Sequence, residues 1–186
     1  MNRRTYLSLT GAAVAALAGC SADDSGSPAS RTPPRGGTST HSQTATVTET
    51  TPIHADYETT TVQAVSTSGE PLGSVTAAIA DTRSLRGTGL SDTERLPPDR
   101  GMLFVYGTVS DHVYVMRRMD FGIDIVYADA DRTITSIHHA PEPGPDEDGD
   151  DQRYPGRGQY VLEVSYEWTT EHGVSEGDSL EFALPA

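Results

Sequence analysis

Four charged side chains stand beside strongly apolar sequence, where a charge must be paired, hydrogen-bonded or put to use: Arg86, Arg117, Asp124 and Glu163. Arginine's planar fork suits carboxylate and phosphate, so one reading is a pocket for a small polar or anionic ligand, sugar-like in character. The other is a structural ion-pair network. The six residues Arg118 to Ile123 are few enough to bring Arg117 and Asp124 onto paired strands, as a buried pair. A catalytic version of the pocket would use Asp124 or Glu163 as the carboxylate of an enzyme acting on envelope polymers. No nucleophile and base accompany them, and nothing in the sequence calls for a cofactor.

Three other patterns invite chemistry and fail on their own requirements. Gly173-Val174-Ser175-Glu176-Gly177 has the Gly-x-Ser-x-Gly form of a hydrolase nucleophile elbow. Such an elbow needs a strand before the serine, a helix after it and a later histidine. Here a helical turn precedes, a strand follows, and His172 is the last histidine, so the segment is expected to be the turn into the final strand. Asp146, Asp148 and Asp150 occupy alternating positions of a calcium loop, but Asp151 and Arg157 stand where glycine and glutamate are required. A solvated acidic loop is expected, and no metal. His138 and His139 are adjacent on an expected strand, so they point to opposite faces and cannot share one ion.

The elements that must position these residues read as strands. Met102 to Tyr106 is an unbroken apolar run between Gly101 and Gly107, as in a strand covered on both faces, and Val113 to Met116 is a second run. Ile123, Ile125 and Tyr127 alternate with Asp124 and Val126, which predicts a strand with one buried face. Further strands are expected around Val62 to Ser66, Val75 to Ile79, Thr133 to His139 (Ile134 and Ser136 on one face, Thr135 and Ile137 on the other), Tyr160 to Tyr166 and Ser179 to Ala183. Asp81-Thr82 can cap a helical turn through Leu85 and Arg86, and a second turn from Trp168 to His172 is closed by Gly173. Pro141 to Pro155 is expected to be irregular. The fold class is mainly β: a small antiparallel β-barrel or sandwich with one or two short helical turns.

Outside this domain, expected from residue 61 to 186, the chain reads as an address. Residues 1–19 have the form of a signal peptide: Arg3-Arg4-Thr5-Tyr6-Leu7 resembles the twin-arginine export motif, with the Sec route as the alternative, and the apolar run Tyr6 to Gly19 is too short to span a membrane. Leu17-Ala18-Gly19-Cys20 resembles the lipobox of prokaryotic lipoproteins, which makes Cys20, the single cysteine, the expected lipidation site and the membrane the expected partner. Residues 20–60 then read as a disordered Ser/Thr/Pro-rich tether. All 13 basic residues are arginine, against 27 acidic ones. Removing Arg3 and Arg4 with the signal leaves 11 against 27, a net charge of −16. That lysine-free acidity resembles the proteins of salt-loving archaea, and it excludes nucleic acid, for which no basic stripe exists.

Several segments in order resemble domain-of-unknown-function family 192: Arg86, Gly89-Leu90, Leu96-Pro97, Gly101 to Phe104, Met116-Arg117, Ile123-Asp124, Tyr160 to Glu163 and Gly177-Asp178, across about residues 72 to 183. The resemblance implies a small β-barrel-like domain, often exported, without an established activity. Where the family reads Phe-Trp-Met-Lys-Asn-Thr, this chain has Tyr114-Val115-Met116-Arg117-Arg118-Met119, and Gly122 stands where the family has proline. If that segment lines a site in the family, the site is altered here.

The sequence therefore predicts an extracytoplasmic domain, anchored by lipid, that binds a small polar ligand or an envelope partner. Its charge generates a measurement. Self-repulsion among the carboxylates is screened at molar salt, where the Debye length is about 3 Å. The melting temperature should rise by several degrees from dilute buffer to molar KCl; a flat or falling curve would remove the salt-adaptation argument.

Overall fold

The computed structural model describes residues 57–186 of the chain, so Arg3, Arg4, Cys20 and most of the expected tether lie outside the described residues. The first strand, β1 (Thr59–Val65), begins two residues before the expected start of the domain. The chain continues through β2 (Pro71–Ala80), α1 (Arg83–Thr88), β3 (Arg100–Val115), β4 (Ile123–Ala128), β5 (Ile134–Ala140), β6 (Arg153–Ser165), α2 (Trp168–Glu171) and β7 (Ser179–Glu181). The seven strands form one curled sheet, a half-barrel, in the order β5-β4-β6-β3-β2-β1-β7. Neighbours are antiparallel except β2 and β3, which run parallel from Thr76↔Arg100 to Ala80↔Phe104. A parallel pair needs a crossover, and residues 81–99, carrying α1, provide it. The mainly β, largely antiparallel fold with two short helices is as expected, with this one parallel pair added.

The curl brings the two edges of the sheet together. Thr133 bridges Ser179, and the backbone bonds Ile134 N–H to Asp178 O, Gly177 N–H to Ile134 O and Leu180 N–H to Arg132 O complete the seam. Gly173 to Gly177 is the turn into β7, as expected, with Ser175 N–H donating to the Asp178 carboxylate at 2.8 Å. Inside the curl lies one core, built from Val62, Leu103, Val126, Leu162, Val164 and Leu180 and plugged by Trp168 of α2.

A second core covers the outer face: Met102, Phe104, Met116, Ile123, Ile125, Tyr127 and Val161. It exists because β3 folds back. Phe104 and Tyr114 are ten positions apart on one strand, about 33 Å if straight, yet their rings meet edge to face at 5.0 Å. The bend lies where the β3–β6 register jumps from Val105↔Tyr160 to Ser110↔Gly158. Beyond it, the ribbon of Ser110–Val115 with residues 153–158 lies over the sheet. Glycine permits this approach, since a Cβ on Gly156 would stand 2.5 Å from the Tyr127 ring.

The fold-back corrects several expectations. The two apolar runs of residues 102–106 and 113–116 belong mainly to one 16-residue strand, and Arg153 to Pro155 are strand rather than loop. Strand β4 is buried along its whole length because both faces are covered, not one. On β5, Ala128 pairs with Ile134 but Tyr127 with Ser136, so a bulge at Thr135 puts Ile134 and Ser136 on opposite faces.

Candidate functional site

Glu163 is the residue around which a site forms. In β6 it pairs with Met102 of β3 on one side and Ile125 of β4 on the other, so its side chain projects from the outer face among apolar neighbours. It is 4% exposed, and among the described residues its carboxyl has neither a hydrogen bond nor an ion pair. Burial, uncompensated by any partner, pushes its pKa up to about 8. At neutral pH it is therefore a carboxylic acid, able to donate as well as accept. The hydroxyls of Tyr106, Tyr114 and Tyr127 all titrate above the ordinary range, through burial first and with the charge of Glu163 contributing.

Glu163 opens into a cavity of about 450 Å³ between the folded-back half of β3 and the crossover that follows α1. The Tyr106 and Tyr114 hydroxyls are 2.9 Å apart on its wall. His112 stacks on Tyr106 with ring centres 3.7 Å apart, and its Nε2 lies 3.2 Å from Gly158 O. Burial holds this imidazole below its ordinary pKa. Arg86 reaches in from α1, its guanidinium 4.8 Å from the Tyr106 ring centre. Its Nη1 donates to Asp81 O and, at 2.8 Å, to Val105 O. Thr82 makes this possible by accepting from Leu85 N–H, which starts the helix, and Gly89 ends it at positive φ. Arg117 is at the rim, half exposed and paired with Asp150 at 2.9 Å.

Asp124 is elsewhere. It pairs with Val164 in the β4–β6 register, so it points into the curl, on the face opposite Glu163. Fully buried, it accepts from Glu167 N–H at 2.9 Å, Thr169 N–H at 2.8 Å and Thr169 Oγ1 at 2.6 Å, and meets His139 Nδ1 at 2.8 Å. This carboxylate holds the β6–α2 turn, where Glu167 has positive φ. The expected Arg117–Asp124 pair does not form, because Arg117 lies past the end of β3, at the surface. A two-carboxylate site from Asp124 and Glu163 is likewise ruled out by the sheet between them. The structure thus brings Arg86, Arg117 and Glu163 to one cavity and leaves Asp124 out.

The remaining motifs are spent on structure. His139 bonds Asp124 while His138 Nε2 lies 2.8 Å from Pro155 O, on the other face. In the acidic loop Asp148 accepts from Asp150 N–H, and Glu147 accepts from Gly144 N–H and Gln152 Nε2. Among the described residues, no three His, Cys, Asp or Glu side chains converge as metal ligands. The sequence reading missed Tyr106, His112 and Tyr114. Their even spacing with Phe104 was a signal, since residues at even spacing on one strand share a face.

A curled β-sheet with a cavity on its covered outer face defines a small half-barrel domain. The chain belongs to DUF192, the family described as uncharacterized ACR, whose sequence profile matches residues 63–182. Two solved structures share the fold. One is a protein of Sinorhizobium meliloti 1021 assigned provisionally as a transcription regulator, with 27% identity and a TM-score of 0.62 over 69% of this chain and 97% of that one. Another is a protein of unknown function from Novosphingobium aromaticivorans DSM 12444, with 21% identity and a TM-score of 0.58 over 70% of this chain and 91% of that one. No curated protein matches the chain. The Tyr114–Met119 segment, where this chain departs from the family resemblance, contributes Tyr114, Val115, Arg117 and Met119 to the cavity lining.

The two carboxyls and Arg117 each generate a prediction. Asp124→Ala leaves two backbone N–H groups and one hydroxyl without their acceptor, each worth about 1 to 3 kcal/mol when buried, so denaturant unfolding should show a loss of about 3 to 5 kcal/mol. Arg117→Ala removes an exposed pair and should change stability by less than about 0.5 kcal/mol. For Glu163, the folded pKa lies above the ordinary 4.5. Its contribution is complete below pH 4.5 and falls by about 1.4 kcal/mol per pH unit until about pH 8, because the folded state holds a proton that the unfolded chain has released. Glu163→Gln should be close to wild type at pH 5 and more stable than wild type at pH 8.5; parallel melting curves at both pH values would contradict this.

Proposed function

We propose that this protein is an exported, lipid-anchored, salt-adapted domain whose outer cavity binds a small polar ligand without transforming it. The observation that carries the binding reading is the buried Glu163 carboxyl, left without a partner at a cavity that also holds the Arg86 guanidinium and two tyrosine hydroxyls. An unpaired buried carboxyl is costly, and a ligand that hydrogen-bonds it recovers that cost. Export and anchoring are supported by Arg3-Arg4 and by Leu17 to Cys20 in the sequence, and salt adaptation by the acidic, lysine-free composition. No helix among the described residues is long and apolar enough to cross a membrane. An envelope polymer or protein as partner remains the wider form of this reading.

A catalytic reading rests on Glu163 alone, as a general acid, since Asp124 faces the other side of the sheet. The regulatory role provisionally given to the Sinorhizobium protein is not carried over, because a chain with a formal charge of −14 repels nucleic acid.

The full chain should be recovered in the membrane fraction, and Cys20→Ser should release it, folded, into the medium. Retention of the variant in the membrane would sink the anchoring reading. The purified protein should then be melted with a panel of sugars, sugar acids, hydroxy acids and amino acids; a binder at one hundred times its Kd raises stability by about 2.7 kcal/mol. The ligand should be recovered unchanged. A consumed ligand would establish an enzyme instead, and a panel without any response would remove the cavity as a site.

A further inference from the structure

The cavity's donors and charges narrow the ligand further, on the footing that the cavity binds one. Arg86 makes no ion pair among the described residues. Its Nη1 is committed to two backbone carbonyls, which fix the guanidinium, while Nε and Nη2 have no protein acceptor there. The other charges at the cavity are answered: Arg117 by Asp150 at 2.9 Å, and Asp111 by Arg157 at 3.1 Å. Glu163 is neutral at pH 7 and carries an acid proton. In the Tyr106–Tyr114 pair one hydroxyl donates to the other, which leaves one O–H free. His112 Nε2 is turned to Gly158 O and Ser110 Oγ.

The cavity thus holds one uncompensated positive charge and a surplus of donors, on a chain whose net charge is strongly negative. A cationic ligand would meet Arg86 with no anion to offset it. A neutral polyol would leave the Arg86 charge unanswered. A carboxylate takes the guanidinium fork in two parallel bonds. Arg86 and Glu163 both line the cavity without pairing with each other, so one ligand can engage both. The volume of about 450 Å³ falls within the range of small-molecule pockets, and Leu90, Val113 and Met119 supply apolar wall for C–H faces.

We infer that the ligand is a hydroxylated monocarboxylate of sugar size, an acidic sugar or sugar acid, with its carboxylate on Arg86 and its hydroxyls on Glu163 and the Tyr106–Tyr114 pair. The assignment deepens the binding reading and fails separately from it.

The test is calorimetry and thermal shift of the full chain at molar KCl with three probes of one shape and different charge: D-glucuronate, D-glucose and D-glucosamine. Glucuronate should bind at least about tenfold more tightly than the other two, because it alone gains charge-assisted bonds. Arg86→Gln should reduce glucuronate to the level of glucose. Glu163→Gln, which keeps a donor and an acceptor, should hold glucuronate within a few-fold at pH 6.5. It should also abolish the weakening that wild type shows as the pH rises past 8, when Glu163 ionises beside the ligand and the tyrosines on β3 and β4. Should Arg86→Gln fail to fold, the probe comparison on wild type and the Glu163→Gln pH series still decide. Glucose or glucosamine binding as tightly as glucuronate would overturn the anion assignment and leave a binding cavity in place. Glucuronate binding unchanged in both variants would place the ligand elsewhere, and no response to any probe, with other solutes binding, would overturn the sugar-acid class alone.

Discussion

The structure depends on one constraint: a sheet whose edges are sewn together encloses a single face and leaves the other open to water. The seam at Thr133 and Ser179 makes the inner core. The outer face, with Met102, Phe104, Ile125 and Val161, would be a large exposed apolar patch on an isolated domain. The chain covers it with its own longest strand pair, bent at the irregularity in β3 and laid back so that Tyr114 rests on Phe104 and Gly156 on Tyr127. The domain has no described cysteine and hence no disulfide among its described residues, so these two apolar layers carry its stability.

The same covering layer separates two buried carboxyls into opposite roles. Asp124 and Glu163 lie one register position apart on neighbouring strands, yet the pleat sends them to opposite faces. Inside the curl, Asp124 meets the free N–H groups of the β6–α2 turn, and four contacts hold it. Outside, Glu163 is covered by a layer that was laid over it without supplying a partner. One carboxylate has its solvation replaced by the protein. The other has lost water and gained a cavity, which is why its proton is held to about pH 8.

Charge is distributed with the same economy. The arginines Arg117, Arg118 and Arg157 pair with aspartates at the surface, where a strongly acidic chain offers many. Such exposed pairs contribute little to stability. Arg86 differs because the short helix and the parallel crossover place it over Tyr106 and hand one of its nitrogens, Nη1, to two backbone carbonyls. Its charge is held in position without an ion-pair partner among the described residues.

The sequence by itself determined the β class, a capped turn at Asp81-Thr82, the close at Gly173, the dismissal of the serine motif and the opposed histidines, because these follow from side-chain period and local backbone chemistry. It also singled out Arg86, Arg117, Asp124 and Glu163 as charges beside strongly apolar sequence. Only the tertiary structure decided which charges meet. Local pattern places Arg117 and Asp124 seven positions apart, with six residues between them, and invites a pair, whereas the bend in β3 carries Arg117 to the rim and the pleat turns Asp124 inward. The parallel β2–β3 pair, the two-sided burial of β4 and the cavity itself were likewise absent from any local window. Each depends on a long-range event, the closing of the sheet and the folding of one strand over it, and the energy of those events comes from contacts between residues far apart in the chain.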